Sequence, residues 1–261
     1  MIRKIFFSIS FFLFILLGIW HIVIPTELLY NMTKTYFKSK GLKLECEGLH
    51  KGIFYNFTVE QVKIQKEKNV LFLCQQFSTH LDFFPLFKLD ISLPFNGYIK
   101  KGKFDGVFTF NLLQKNSSLW ILFLNIEIED LPFLHLAKLK GKGIVQGKAE
   151  IINSKGSVTF KVSKAKLSLE ASSIFFPLSF FHTIQGLIEF SPDIIRILSL
   201  TAEGQEIYAK LKGEIVNNKA HLNLEMQTAS ALSRPYFALL KKYEIMPGYY
   251  KIPFDGILTM P

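Results

Sequence analysis

The chain has 261 residues, of which 49% are hydrophobic and 15% aromatic, and its 27 phenylalanines exclude an intrinsically disordered protein. The formal net charge of +10 comes from lysine, because only Arg3, Arg196 and Arg234 are arginines. Nucleic-acid readers favour arginine, so this balance argues against nucleic acid and leaves a solvated face or a surface toward anionic lipid headgroups.

The first segment predicts a membrane anchor. The run from Ile5 to Ile24 carries no charged residue and is bounded by Arg3 and Lys4 in front and by Pro25 behind. Its 20 residues span about 30 Å as a helix, which is the thickness of a bilayer core, and no signal-peptide cleavage site follows. We expect residues 1–25 to form a cytoplasmic tail and a single-pass anchor, with the rest of the chain across the membrane.

Residues 26–41 predict a short amphipathic helix next to the membrane. Thr26 is suited to cap its beginning, and Gly41 is suited to end it. Apolar residues recur near helical spacing, at Leu28, Leu29, Met32, Tyr36 and Phe37.

Residues 42–261 predict a β domain of about a dozen strands, because short segments with alternating apolar residues are separated by turn signals. In "GIFYNFTVEQVKI" the alternation changes phase between Val59 and Val62, which predicts a bulge. Asn217-Asn218 predicts a hairpin turn. In the segment 141–167, Asn153-Ser154 predicts another turn, and the glycines are expected at strand ends and bends.

Two interruptions of the strand pattern predict short helices. "EDLPFLHLAKLKG" has Asp130 as its cap and Gly141 as its end, and "SALSRPYFALLKKYEIMPG" has Ser233 as its cap and Gly248 as its end. Longer helices between strands are missing from the pattern, so we expect a mostly antiparallel meander rather than parallel βαβ units.

The sequence contains no recognised catalytic motif. The glycines after Leu139 lack the closing Gly-Lys-Ser/Thr of a P-loop, the six histidines are scattered, and no carboxylate pair stands out. Cys46 and Cys74 form no zinc-binding spacing, and they are either a disulfide or free buried thiols. We therefore expect no enzyme activity, no catalytic residue, no metal and no cofactor.

The strand segment "LWILFLNIEIED" is apolar on both faces at first, which indicates a strand buried on both sides or one facing a lipid-like ligand. The candidate lipid-facing residues there and on the preceding strand are Phe108, Phe110, Trp120, Leu122 and Leu124. The alternative is that the same residues form an ordinary packed core.

A series of short phrases follows the anchor in a distinctive order. They include "IPTELLYNMTKTY", "FNGYIKKGKFDGVFTF", "LKGKGIVQGKAEI" and a closing "IPFDGILTMP". This order resembles the type II secretion system protein N family and, more distantly, the AsmA-like proteins.

The resemblance implies a mainly β fold, in which a single transmembrane helix precedes a large curled, mostly antiparallel sheet with a few short helices. It implies a periplasmic component held in the inner membrane, acting through contacts with inner-membrane and outer-membrane secretion subunits. The AsmA-like kinship implies the alternative, a lipid-binding or lipid-transfer protein of the cell envelope whose apolar groove holds phospholipid. Neither family supplies catalytic residues.

Overall fold

Fourteen antiparallel strands pair in one continuous sheet in the computed structural model, which describes residues 18, 20, 25–52, 55–136, 139–169, 178–229 and 240–257. The strands are β1 (Lys43–Lys51), β2 (Asn56–Lys66), β3 (Asn69–His80), β4 (Asp90–Ile99), β5 (Gly102–Asn111), β6 (Asn116–Glu127), β7 (Leu139–Ile152), β8 (Lys155–Leu169), β9 (Phe181–Phe190), β10 (Ile194–Gly204), β11 (Ile207–Val216), β12 (Lys219–Thr228), β13 (Glu244–Met246) and β14 (Tyr249–Ile257).

The strands follow chain order across the sheet from β1 to β12, and only the last two exchange places, giving β12-β14-β13. This confirms the predicted antiparallel meander. Because neighbours alternate in direction, the turns after β1, β3, β5, β7, β9 and β11 lie at one end of the sheet, which we call the open end. The connections after β2, β4, β6, β8, β10 and β12 lie at the other, which we call the closed end.

The two predicted hairpin turns are confirmed. Asn153 and Ser154 have φ angles of 48° and 68°, and Asn217 and Asn218 have φ angles of 49° and 64°. Two successive residues with positive φ are typical of the type I′ turn, whose twist matches that of the flanking strands. Asparagine tolerates this conformation, which explains why these turns could be predicted from the sequence.

The described helices are α1 (Thr26–Ser39) and α2 (Phe133–Leu136), together with 3₁₀ turns at Pro85–Lys88, Ile128–Asp130, Leu178–Phe180 and Lys241–Tyr243. The predicted helix 26–41 is confirmed, although Pro25 rather than Thr26 takes the cap position and makes no side-chain cap hydrogen bond. Gly41, with a φ angle of 72°, follows its end.

The two helices predicted within the β domain are wrong in extent. Among the described residues of the first, only Phe133–Leu136 are α-helical. Gly141 lies inside β7, and the Asp130 carboxylate pairs with Lys100. Strand pairing with β8 takes the residues from Leu139 onward. In the second, residues 244–246 form β13, while Ser233 lies outside the described residues.

Within the described part of the chain, no helix is long and apolar enough to cross a membrane. Both end residues of the predicted anchor, Ile5 and Ile24, lie outside the described residues, so the anchor stays a prediction.

Cross-strand pairing places the apolar residues of successive strands on one side of the sheet, which we call the apolar face. Leu93 and Leu119 flank Phe108 on it, and Leu211 faces Leu224 farther along the sheet. Among the described residues, the paired positions of this face in β4–β12 and β14 carry no charged side chain. The predicted change of phase in β2 is present. Val59 and Val62 are an odd number of residues apart, yet both line the same cavity on this face.

The opposite side, which we call the lysine face, carries exposed charged side chains with apolar ones such as Leu122 between them. Lys161 and Lys148 pair across strands with Gln185 and Leu122, and both lysines are exposed. Lys164 and Lys166 are exposed as well. The alternation of lysine with apolar residues therefore marks a solvated face, as expected from the sequence.

Phenylalanine rings lie directly over glycines on the apolar face. A Cβ atom added to Gly97 would lie 2.7 Å from Cζ of Phe104, and one added to Gly147 would lie 2.8 Å from Cζ of Phe123. Gly147 is in the middle of β7, so the expectation that the glycines mark strand ends and bends is wrong there. Its absent side chain makes room for a ring to lie against the backbone.

Candidate functional site

The structure does not bring the five candidate lipid-facing residues together. Phe108 and Phe110 lie on the apolar face, whereas Trp120, Leu122 and Leu124 project from the lysine face, paired with Val107, Asp105 and Lys103. Where successive residues of a strand are all apolar, alternation does not show which of them point to the same face. The sequence alone therefore did not separate the two sets.

The apolar face is covered at the closed end. Leu134 and Leu178, from the connections after β6 and β8, contact one buried cluster, and Leu240, before β13, contacts another. The Nζ atom of Lys100 lies 2.5 Å from Oδ1 of Asp130, whose side chain is only 3% exposed. This hydrogen bond raises the pKa of Lys100 and ties the first covering segment to the turn after β4.

Toward the open end the apolar face has no such cover among the described residues. Its side chains there are half-buried and belong to none of the three described core clusters. They are Phe108, Phe110, Leu119, Ile151, Val158, Ile188, Phe190 and Ile195. As far as the described residues show, this part of the sheet is therefore a single layer with an accessible, uncharged surface.

A separate cavity of about 310 Å³ lies between α1 and the apolar face of β1–β3. Leu29 and Phe37 line it from the helix, and Val59, Phe72 and Phe77 line it from the strands. Its volume is at the lower end of the range for small-molecule sites, about 300–1,000 Å³. The helix thus has a defined partner, which it contacts through Leu29 and Phe37. Met32 and Tyr36, expected on the same side, are each 63% exposed, so that part of the predicted apolar side is wrong.

The two cysteines face the same cavity as free thiols. Cys46 and Cys74 both pair with Val62, from opposite sides of β2, so two strand spacings, about 9.5 Å, separate their backbones. A disulfide requires Cα atoms closer than about 7 Å, which decides the question that the sequence left open. Burial raises the pKa of Cys74 to about 11 and also raises that of Cys46.

The lysine face holds a wider groove of about 520 Å³. Leu122, Leu124 and Leu187 line it together with Lys148 and Lys161. Because charged side chains border the apolar ones, this groove differs in chemistry from the uncharged apolar face. Two of the sequence candidates thus belong to a mixed surface.

The described residues contain no cluster of three or more histidine, cysteine, aspartate or glutamate side chains able to hold a metal ion. The residues that sequence analysis missed are those of β8 to β10 on the apolar face, above all Val158, Ile188 and Phe190. Their period-two alternation was visible, but the pairing that joins them to Phe108 was not.

We compared the chain with protein-family models, with curated proteins and with solved structures, and none of the three comparisons finds a match.

Proposed function

We propose that the protein binds lipid in the cell envelope and that its apolar face holds acyl chains. The observation that supports this most is the uncharged, half-buried surface at the open end of the sheet. A sheet normally buries its apolar side against a second layer of structure. Here the described covering segments lie at the closed end and over β1–β3, which leaves a long apolar surface for an apolar ligand.

The proposal places the protein in the inner membrane. Residues 5–24 are its single-pass anchor, the N terminus is cytoplasmic, and the β domain lies in the periplasm. The AsmA-like resemblance favours the same arrangement, including a curled sheet. The proposal includes no catalytic step, no cofactor and no nucleic acid.

Photocrosslinking tests this proposal on the full chain in its membrane. Neighbouring residues Leu187 and Ile188 of β9 point to the lysine face and the apolar face, respectively. With p-benzoylphenylalanine at either position, irradiation is followed by purification and mass spectrometry. We expect phospholipid adducts at 188 and none at 187. Equal adducts at both positions, or none at 188, would contradict the proposal.

A pair of charge variants provides a second readout. Val158→Glu places a carboxylate on the apolar face, whereas Thr159→Glu places it on the lysine face of the same strand. Burying a charge among acyl chains is costly, so we expect only Val158→Glu to remove the adduct at 188. Circular dichroism of both variants checks that the sheet remains folded.

One observation supports a second function, a component of type II secretion that acts through protein contacts. Among the described strands, β13 is an edge with β14 as its neighbour, and its residues Ile245 and Met246 are 60% and 57% exposed. An exposed edge is suited to pairing with a strand of another protein. The expected partners are inner-membrane and outer-membrane secretion subunits.

Crosslinking from position 245 tests this second function, with Lys251 on β14 as the control position. We expect an identified secretion subunit at 245 and not at 251. Adducts restricted to lipid, or to unrelated proteins, would count against it.

A further inference from the structure

The most exposed large apolar side chains of the described residues lie at the open end of the sheet. Phe84 and Phe87, in the connection after β3, are 83% and 89% exposed, and Leu113, in the turn after β5, is 73% exposed. The two turns are joined, because the backbone N–H of Leu112 donates to the carbonyl of Leu89 at 2.9 Å. We call residues 83–89 and 112–113 the apolar tip.

The apolar tip adjoins the point where the N-terminal chain reaches the sheet. The Trp20 indole Nε1 donates to the carbonyl of Gly52 at 2.8 Å, and its ring stacks on Tyr55 with centroids 4.7 Å apart. Tyr55 in turn meets Phe83 edge to face at 5.5 Å. Trp20, a described residue of the uncharged stretch 5–24, therefore lies at the same end of the sheet as the apolar tip.

The charges around the apolar tip favour an anionic surface. Lys88 and Lys115 are exposed on its two turns. The two acids nearby are half-buried and hydrogen-bonded: Oδ1 of Asp82 accepts from the Phe84 N–H at 3.1 Å, and Oδ1 of Asp90 accepts from an asparagine amide at 2.6 Å. The outermost charges are therefore positive.

We propose that the apolar tip inserts into the bilayer interface beside the N-terminal stretch. Aromatic rings with neighbouring lysines are suited to this depth, since the rings leave water while the ammonium groups remain among anionic headgroups. Insertion brings the uncovered part of the apolar face to the membrane surface. This last step, by which phospholipid enters from the bilayer, rests on the proposed function, whereas the docking does not.

A fluorescent label measures the docking directly. The full chain, with Cys46 and Cys74 replaced by alanine, carries one NBD-labelled cysteine, either Phe87→Cys at the apolar tip or Lys68→Cys at the closed end. It is reconstituted into vesicles of phosphatidylethanolamine and phosphatidylglycerol. We expect lipid-borne quenchers to reach the label at 87 and aqueous iodide to reach the label at 68.

Two results would overturn the docking. In the first, iodide quenches the label at 87 as strongly as the label at 68. In the second, the label at 87 is shielded in native membranes and exposed in pure lipid vesicles, which would identify a protein as the occupant of the apolar tip.

The double variant Phe84→Ser, Phe87→Ser tests lipid entry, and Lys68→Ser is its control. Because both phenylalanines are exposed, the variant should keep the fold. We expect the phospholipid adduct at Ile188 to fall severalfold in the double variant and to be unchanged in the control. An undiminished adduct overturns entry through the apolar tip.

The two proposals fail separately. A label at 87 in water, with the adduct at 188 present, overturns the docking and leaves the proposed function standing. A label at 87 in the bilayer, with no adduct at 188 in the otherwise unchanged chain, supports the docking and overturns the proposed function.

Discussion

Removing the ring of Phe104 should open one part of the sheet and leave the rest closed. Phe104 is 6% exposed, and the rings of Phe72, Phe77 and Phe95 lie 6.0, 6.5 and 6.3 Å from it. A phenylalanine-to-alanine change in a core costs about 3–5 kcal/mol, and each aromatic pair adds about 0.5–1.5 kcal/mol beyond area burial. We therefore expect Phe104→Ala to lower the local free energy of opening by about 4 kcal/mol.

The effect should be local because the main contacts of each strand are with its neighbours in the sheet. Such a chain behaves like a repeat protein, in which stability is a sum of nearest-neighbour interfaces. A loss of about 4 kcal/mol raises the opening equilibrium about a thousandfold. In Phe104→Ala this increase should affect β3–β6 and should not affect β10–β14.

Hydrogen exchange of the full chain, read by mass spectrometry, measures the opening strand by strand. Met226→Ala is the matched variant, because Met226 is 1% exposed in a separate core cluster near the opposite edge of the sheet. It should expose β11, β12 and β14 and leave β3–β6 protected. Val107→Ala, on the lysine face of β5, should change little. Equal loss of protection in all strands, in both core variants, would refute the nearest-neighbour reasoning.

Three further predictions concern single positions. Ser154 has a φ angle of 68°, so Ser154→Gly should stabilise the protein by about 1 kcal/mol and raise Tm by about 2–4 °C in a thermal melt; a lower Tm would contradict the turn assignment. Gly147→Ala should destabilise by about 1–3 kcal/mol in denaturant unfolding, because a ring and a carbonyl lie against the site, whereas Gly256→Ala, with open space around it, should be neutral; equal effects would argue against the ring-over-glycine layer. Burial raises the pKa of Cys74 from 9.0 to about 11, so the thiolate is disfavoured in the folded state. The contribution of this buried thiol to the free energy of unfolding is complete below pH 9 and is lost as the pH rises toward 11. The free energy of unfolding, measured at a series of pH values, should therefore fall less steeply with pH in Cys74→Ala than in the unchanged chain. Equal slopes in the two proteins would contradict the burial of the thiol.

The sequence by itself determined the strands and the tight turns, because both depend on near neighbours in the chain. Period-two alternation is such a local property: in β11 it places Ala209 and Leu211 on one face, where they pair with Met226 and Leu224. The Asn217-Asn218 turn could also be predicted, since its conformation depends on these two residues alone.

Only the tertiary structure decided which apolar residues share a surface. Phe108 and Trp120 looked equivalent in sequence, but the register of β5 against β6 puts them on opposite faces. The helix expected from Asp130 to Gly141 does not reach its predicted end, because Leu139, Lys140 and Gly141 pair with β8 instead, and Gly147 is a glycine because Phe123 lies over it. Each of these outcomes depends on contact between residues distant in the chain, and local preference is too weak to outweigh the hydrogen bonds and burial that such contacts supply.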